Sequence, residues 1–220
     1  DLHAEDRRQR QMCIRDRRRG VRSAAGNELT AHDVVWSWQR AWALGSWSAR
    51  AADLCGVGSP EALRVANTYT LQFRLEQPHR LFPAILCDAF PAVYDVEAVH
   101  PNCSEGDPWG QGWLRCHTAG FGPYALESLM GDQEASLVAN SQHWQGSPAD
   151  KRILLRAIPS AEARCEALRR GSVDVAQDLP ALQARQLAGT ASARVTSFGG
   201  SREILLRVDR AAEPGVRLGE

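Results

Sequence analysis

Apolar residues first settle into a regular period after Thr30. Val34, Val35, Trp38, Ala41 and Trp42 recur at helical spacing, which predicts an amphipathic helix over 31–43. Thr30 is a good N-cap, and Asp33 three residues later imitates a capping box. Trp36, Trp38 and Trp42 could form a stripe for stacking a ligand, but at this spacing they read as core. Between Asn67 and Pro78 the period changes to two: Leu71, Phe73 and Leu75 alternate with Gln72, Arg74 and Glu76, as in a half-buried strand that Pro78 ends. Residues 81–98 are apolar and punctuated by Pro83 and Pro91, which predicts a short helix and an extended segment. Residues 101–122 are rich in Gly, Pro and Trp and read as a long ordered loop or a lobe boundary. Further on, the pattern predicts strands at 123–128, 134–139, 152–158, 172–176, 194–198 and 203–208. Ser160 caps a predicted helix on which Ala161, Cys165 and Leu168 share a face and which ends before Gly171; Pro180 starts another that stops at Gly189. Helices mixed with strands in this way mean an α/β or α+β architecture. Residues 211–220 show no clear element.

Composition narrows the class. Hydrophobic residues make up 44% of the 220 and aromatics 7%, which suits a globular core, and no apolar run approaches the roughly 20 residues that span a bilayer. The first residues are charged and carry no signal-peptide pattern. The net charge of zero hides an asymmetry. Residues 1–22 hold eight arginines and four acidic residues, leaving 18 basic against 22 acidic residues in the remainder, a net charge of −4. A mildly acidic body offers no electrostatic footprint for nucleic acid or an anionic membrane. Lys151 stands alone beside 25 arginines, a bias of genome composition more than of function. The Arg-rich stretch 1–25 reads as a basic arm, as a disordered tail or as foreign sequence. The string Gln11-Met12-Cys13-Ile14-Arg15-Asp16-Arg17 resembles translated sequencing-adapter sequence. That third reading is favoured, so residues 1–25 are expected to be non-native or disordered, with order beginning near Gly26.

Candidate chemistry is sparse. His100, Cys103, Cys116 and His117 could be weighed as a zinc set. Adjacent Cys and His rarely point at one ion, however, and the usual paired C-x2-C is missing. A disulfide among Cys87, Cys103 and Cys116, or free thiols, is the better reading; six irregularly spaced cysteines do not make a disulfide scaffold. No nucleophile elbow, P-loop, dinucleotide fingerprint or carboxylate pair stands in the sequence. No catalytic residue, metal ligand or cofactor is therefore expected.

Four motifs in order carry a resemblance. Leu29-Thr30-Ala31-His32-Asp33-Val34-Val35-Trp36-Ser37-Trp38-Gln39-Arg40 resembles the signature helix "LTAeDVvwSw.R" of the family 5 extracytoplasmic solute-binding proteins, which serve peptide and nickel ABC transporters. Gly120-Phe121-Gly122-Pro123-Tyr124-Ala125-Leu126 resembles the family's "GtGPYkl" strand. Asn140, Trp144, Gly146 and Pro148 match the spacing of "NpdYWgGkP", and Arg169-Arg170-Gly171-Ser172-Val173-Asp174-Val175-Ala176 resembles "L.sGevDia".

The resemblance implies a partial fold of the type II periplasmic-binding-protein kind, with two incomplete lobes. Residues 26–100 would belong to the small lobe, 101–209 to the main ligand-binding lobe and 210–220 to the truncated start of the next. Members are longer, opening with an export signal and closing with a further lobe, so the sequence is expected to be an internal fragment. The implied function is that of a monomeric receptor, periplasmic or lipid-anchored on the outer face of the cytoplasmic membrane. It would close its lobes on a peptide and deliver it to an ABC permease. The alternatives are a receptor for nickel complexes or another small solute and, from a different class, an intracellular α/β enzyme domain. Cleft-facing candidates are strand ends: Gln177 and Asp178 after the 173–176 strand, and Gly199, Gly200, Ser201 and Arg202 before the 203–208 strand. The family often places aromatic residues there. Gln177, Gly200 and Arg202 depart from that habit, which leaves the solute open.

Overall fold

A computed structural model describes residues 12–75, 79–80, 82–88 and 91–188. The chain forms two compact units, residues 1–157 and 158–220. Its class is the expected mixture of helix and sheet.

In the first unit, β1 (Met12–Asp16), β2 (Leu63–Asn67) and β3 (Thr70–Arg74) form an antiparallel sheet in the order β1-β3-β2. The alternation read at 71–75 is realised here: Leu71, Phe73 and Leu75 are buried and Arg74 is exposed. The β2–β3 hairpin is closed by Asn67, whose Oδ1 accepts from the backbone N–H groups of Tyr69 and Thr70, both at 3.0 Å. That local acceptor is the reason Asn suits a turn.

Helix α1 spans Ala31–Ala43, the range its periodicity predicts. The Asp33 carboxylate accepts from the backbone N–H and the hydroxyl of Thr30, each at 2.7 Å, which fastens the first turn. Trp38 is fully buried and meets Trp42 at 5.1 Å and Phe73 at 6.2 Å between ring centroids. Val34, Trp38, Leu71, Phe73 and Phe82 thus make one core beneath the sheet. Helix α2 (Trp47–Asp53) follows, with the Ser46 hydroxyl accepting from Ala49 N–H at 3.3 Å. It contributes Ala52 to the same core. Trp36 leaves the core and joins Tyr94, His100 and Trp109, with ring centroids 5.5–6.1 Å from its own.

The short helix expected within 81–98 is α3 (Phe82–Asp88), and α4 (Val96–Val99) follows it; the Gly, Pro and Trp-rich region 101–122 is an ordered connection, as expected, holding α5 (Gln111–Leu114). It is tied back to α1 by Arg40 Nε donating to Trp109 C=O at 3.1 Å, and Asp95 N–H donates to Ala119 C=O at 2.8 Å. A second antiparallel sheet, β4-β5-β6, comprises Tyr124–Met130, Glu134–Ala139 and Arg152–Arg156. Gly131 turns the β4–β5 hairpin at φ 55°, a left-handed backbone that glycine adopts without Cβ strain.

The second unit contains α6 (Ala161–Arg169) and α7 (Ala181–Ala188) among its described residues. Ser160 caps α6 by accepting from Ala163 N–H at 3.3 Å, and Cys165 is buried. Gly171, at φ 67°, ends it with Ser172 N–H donating back to Ala167 C=O at 3.0 Å, a closing turn that favours glycine.

Two expectations are corrected. Order does not wait for Gly26, because Val21 is 5% and Ser23 1% exposed, and Arg17 N–H donates to Tyr69 C=O at 2.6 Å. The arginine count concealed Val21, whose burial against Leu29 and Val34 outweighs the polar surroundings. The strand expected at 172–176 is also absent; those residues are irregular. Val173 and Val175 alternate, but a strand needs a partner, and none of the described residues pairs with them. The strands expected at 194–198 and 203–208 lie outside the described residues.

Candidate functional site

Gln177 and Asp178 sit in the irregular connection between α6 and α7, not at the end of a strand. Both are exposed. Asp178 has φ 54°, the one positive value among described non-glycine residues, a conformation Asp tolerates better than most. Its carbonyl accepts from Arg164 Nη2 at 3.1 Å, while Arg164 Nη1 donates to Ile158 C=O at 2.6 Å and Pro159 C=O at 2.9 Å. One guanidinium therefore fixes this connection and leaves the Gln177 and Asp178 side chains in solvent. Gly199, Gly200, Ser201 and Arg202 lie outside the described residues.

The zinc alternative finds no support in geometry. His117 stacks on Trp113 at 4.5 Å with planes 3° apart, and His100 packs at the edge of Trp36. Cys103 and Cys116 carry free thiols, and each pair in the proposed disulfide set includes one of them. Among the described residues no three His, Cys, Asp or Glu side chains converge as a metal set.

Two features went unread in the sequence. The first is a buried polar junction. Asp95, 1% exposed, accepts from the Ser23 hydroxyl at 2.5 Å, from Asn27 Nδ2 at 3.1 Å and from Ala98 N–H at 3.1 Å. Asp33 Oδ1 accepts from Val96 N–H at 3.0 Å beside it. The second is a cavity of about 390 Å³ in the first unit, lined by Arg17, Arg18, Phe121 and Trp144 among others. Asn140 braces its wall by donating to Arg22 C=O at 3.1 Å and Gly122 C=O at 3.2 Å. The motifs around Gly122 and Asn140 thus meet the segment at 17–23, which composition alone assigns to a tail.

The sequence profile described as bacterial extracellular solute-binding proteins, family 5 Middle, matches residues 18–215. The chain belongs to this family. The match opens inside the stretch that packs as part of the fold. Among curated relatives, the chain is 24% identical over 213 residues to the probable D,D-dipeptide-binding periplasmic protein DdpA of Escherichia coli K12, covering 96% of this chain and 39% of the relative. It is also 24% identical over 172 residues to the periplasmic murein peptide-binding protein MppA of the same strain, covering 71% and 31%. The fold is shared with the Helicobacter pylori periplasmic binding protein DppA in complex with peptide STSA (TM-score 0.68, 20% identity, 83% of this chain and 38% of that one). It is likewise shared with NikA from Staphylococcus aureus in complex with Ni(L-His)2 (TM-score 0.66, 18% identity, 83% and 35%). The chain spans between 29% and 39% of the length of the curated relatives it matches. No helix among the described residues is long and apolar enough to cross a membrane.

Proposed function

We propose that this family 5 chain is part of a solute receptor that delivers peptides to an ABC importer. The observation that carries the reading is the family match across residues 18–215 together with relatives whose names state peptide binding. The receptor works as a monomer, in the periplasm or held by a lipid anchor to the outer face of the cytoplasmic membrane, and hands its load to a permease. It is a carrier, not an enzyme. In this reading residues 26–100 belong to the small lobe, 101–209 to the main ligand lobe and 210–220 to the start of the next. Closure of the lobes buries a peptide held largely through backbone hydrogen bonds. Gln177, Asp178, Gly199, Gly200, Ser201 and Arg202 face the cleft, and the exposure of the first two in the α6–α7 connection leaves them free to meet a ligand.

A receptor for nickel complexes is the second reading, favoured by the fold shared with NikA bound to Ni(L-His)2. A chimaera separates the two. Residues 18–215 replace the matching stretch of the Escherichia coli D,D-dipeptide relative, and calorimetry follows titration with a di- to pentapeptide pool and with Ni(L-His)2. Peptide binding in about the micromolar range, weakened by Gln177→Ala or Arg202→Ala, is the expected result. Saturable binding of the nickel complex alone would move the assignment to the second reading, and cleavage of the peptides would overturn both.

A further inference from the structure

Arg164 stands in the first turn of α6, and its guanidinium meets three main-chain carbonyls. Nη1 donates to Ile158 and Pro159, which lead into the helix, and Nη2 donates to Asp178, 14 residues further on. The Nε is shut off from solvent, so the group is lodged in the chain and does not wave in water. A guanidinium is a planar fork whose donors keep fixed directions, so three carbonyls at once fix its plane and, in return, the backbone around them. A second tie closes the other side of the connection. Glu162 accepts from the Ser160 hydroxyl at 2.7 Å and from Gln183 Nε2 at 3.3 Å, which links α6 to α7. Asp178 lies between these ties at φ 54°. A left-handed backbone outside glycine persists where its surroundings over-determine it, and the bond to the Asp178 carbonyl is the constraint the structure shows there.

We propose that Arg164 is a positioning residue for the ligand: it holds the α6–α7 connection in the one shape that offers Gln177 and Asp178 to a peptide. This role rests on the receptor reading and adds to it a residue that itself touches no ligand. A connection already ordered loses little freedom when a peptide arrives, whereas a loose one must be ordered at the expense of binding energy. Lysine cannot take over. One ammonium nitrogen on a flexible stem offers no fixed fork to carbonyls at 158–159 and at 178 together.

Backbone relaxation by NMR on the 220-residue chain and calorimetry on the chimaera test it together. The order parameters of residues 175–178 should stand near the rigid value of about 0.85 and fall toward about 0.6 or below in Arg164→Met, while those of α6 stay as they were. In the chimaera the same substitution should weaken binding of the di- to pentapeptide pool about tenfold, and Arg164→Lys should weaken it nearly as much. Glu166→Gly controls for a merely structural role. It loosens α6 from a position outside the Arg164 bonds and should leave peptide affinity unchanged. Order parameters at 175–178 that are low in the unaltered chain, or that Arg164→Met does not move, would overturn the proposal. An equal loss of affinity in Glu166→Gly would do the same. Peptide binding that Gln177→Ala weakens and Arg164→Met and Arg164→Lys do not would also overturn it, and would leave the receptor reading standing. No peptide binding at all would overturn that reading and this role with it.

Discussion

Asp33 and Asp95 are both buried carboxylates, and the sequence made them very unequally visible. Asp33 stands three residues after Thr30, so its role at the start of α1 follows from local spacing. The hydroxyl that donates to Asp95 comes from Ser23, 72 residues away, and no local pattern encodes such a pair. Asp95→Ala would strand the donors of Ser23, Asn27 and Ala98. Loss of about 1–3 kcal/mol is expected, measured by urea denaturation; unchanged stability would show that the junction contributes nothing. Trp38→Ala should cost about 3–5 kcal/mol, because the ring is fully enclosed by Val34, Trp42 and Phe73 neighbours. The same measurement checks it. Glu28 gives a pH signature. The Gly20 N–H at 2.7 Å, then the Tyr69 hydroxyl and the nearby Arg22 and Arg19, hold its carboxyl below the ordinary value. A carboxyl so depressed stabilises the fold above the ordinary carboxylate value of about 4.3 and loses that contribution as pH falls through its own lower value. Glu28→Gln should therefore leave less acid sensitivity below the ordinary carboxylate value, read as the thermal midpoint against pH. An identical acid limb in both proteins would sink the assignment.

Helices were the legible elements. Ends and faces of α1 and α6 follow from caps and periodicity because the determining contacts lie within a few residues. Ser160→Ala should lower stability of α6 by about 0.5–2 kcal/mol, seen as faster amide exchange at Ala163 and Arg164; equal exchange would show the cap to be idle. Strands were legible where alternation or a regular apolar pattern stands in the sequence, as for β3 and β4–β5–β6, whereas β2, the hairpin partner of β3, went unread. At 172–176 the alternation of Val173 and Val175 met no partner among the described residues, and Val175 stays 74% exposed. The stretch at 17–25 failed in the opposite direction. Eight arginines in residues 1–22 outvoted Val21 in any average, yet one buried valine and one buried serine set the course of the backbone.

At the scale of the whole molecule, four ordered motifs made the family legible, while of the candidate cleft residues Gln177 and Asp178 lie in an irregular connection and 199–202 lie outside the described residues. The motifs are local packing devices: Asn140 braces Gly122, and Gly171 closes α6. Ligand contacts in a lobe-closing receptor come from surfaces distant in sequence, and this chain spans at most 39% of the matched curated relatives. That fraction carries a prediction for the receptor reading. A peptide gripped from both sides is removed from water, whereas one resting on an exposed connection such as 177–178 competes with solvent for each hydrogen bond. Such bonds then net about 0.5–1.5 kcal/mol each, against the several kcal/mol that association costs in lost freedom. The 220-residue chain alone should bind di- to pentapeptides no tighter than about millimolar, near −4 kcal/mol. The chimaera that restores the rest of the receptor should gain about three orders of magnitude. Calorimetry on both proteins under one buffer measures the gain. Micromolar binding by the 220 residues alone would mean that they hold a complete peptide site, and that lobe closure adds little to affinity.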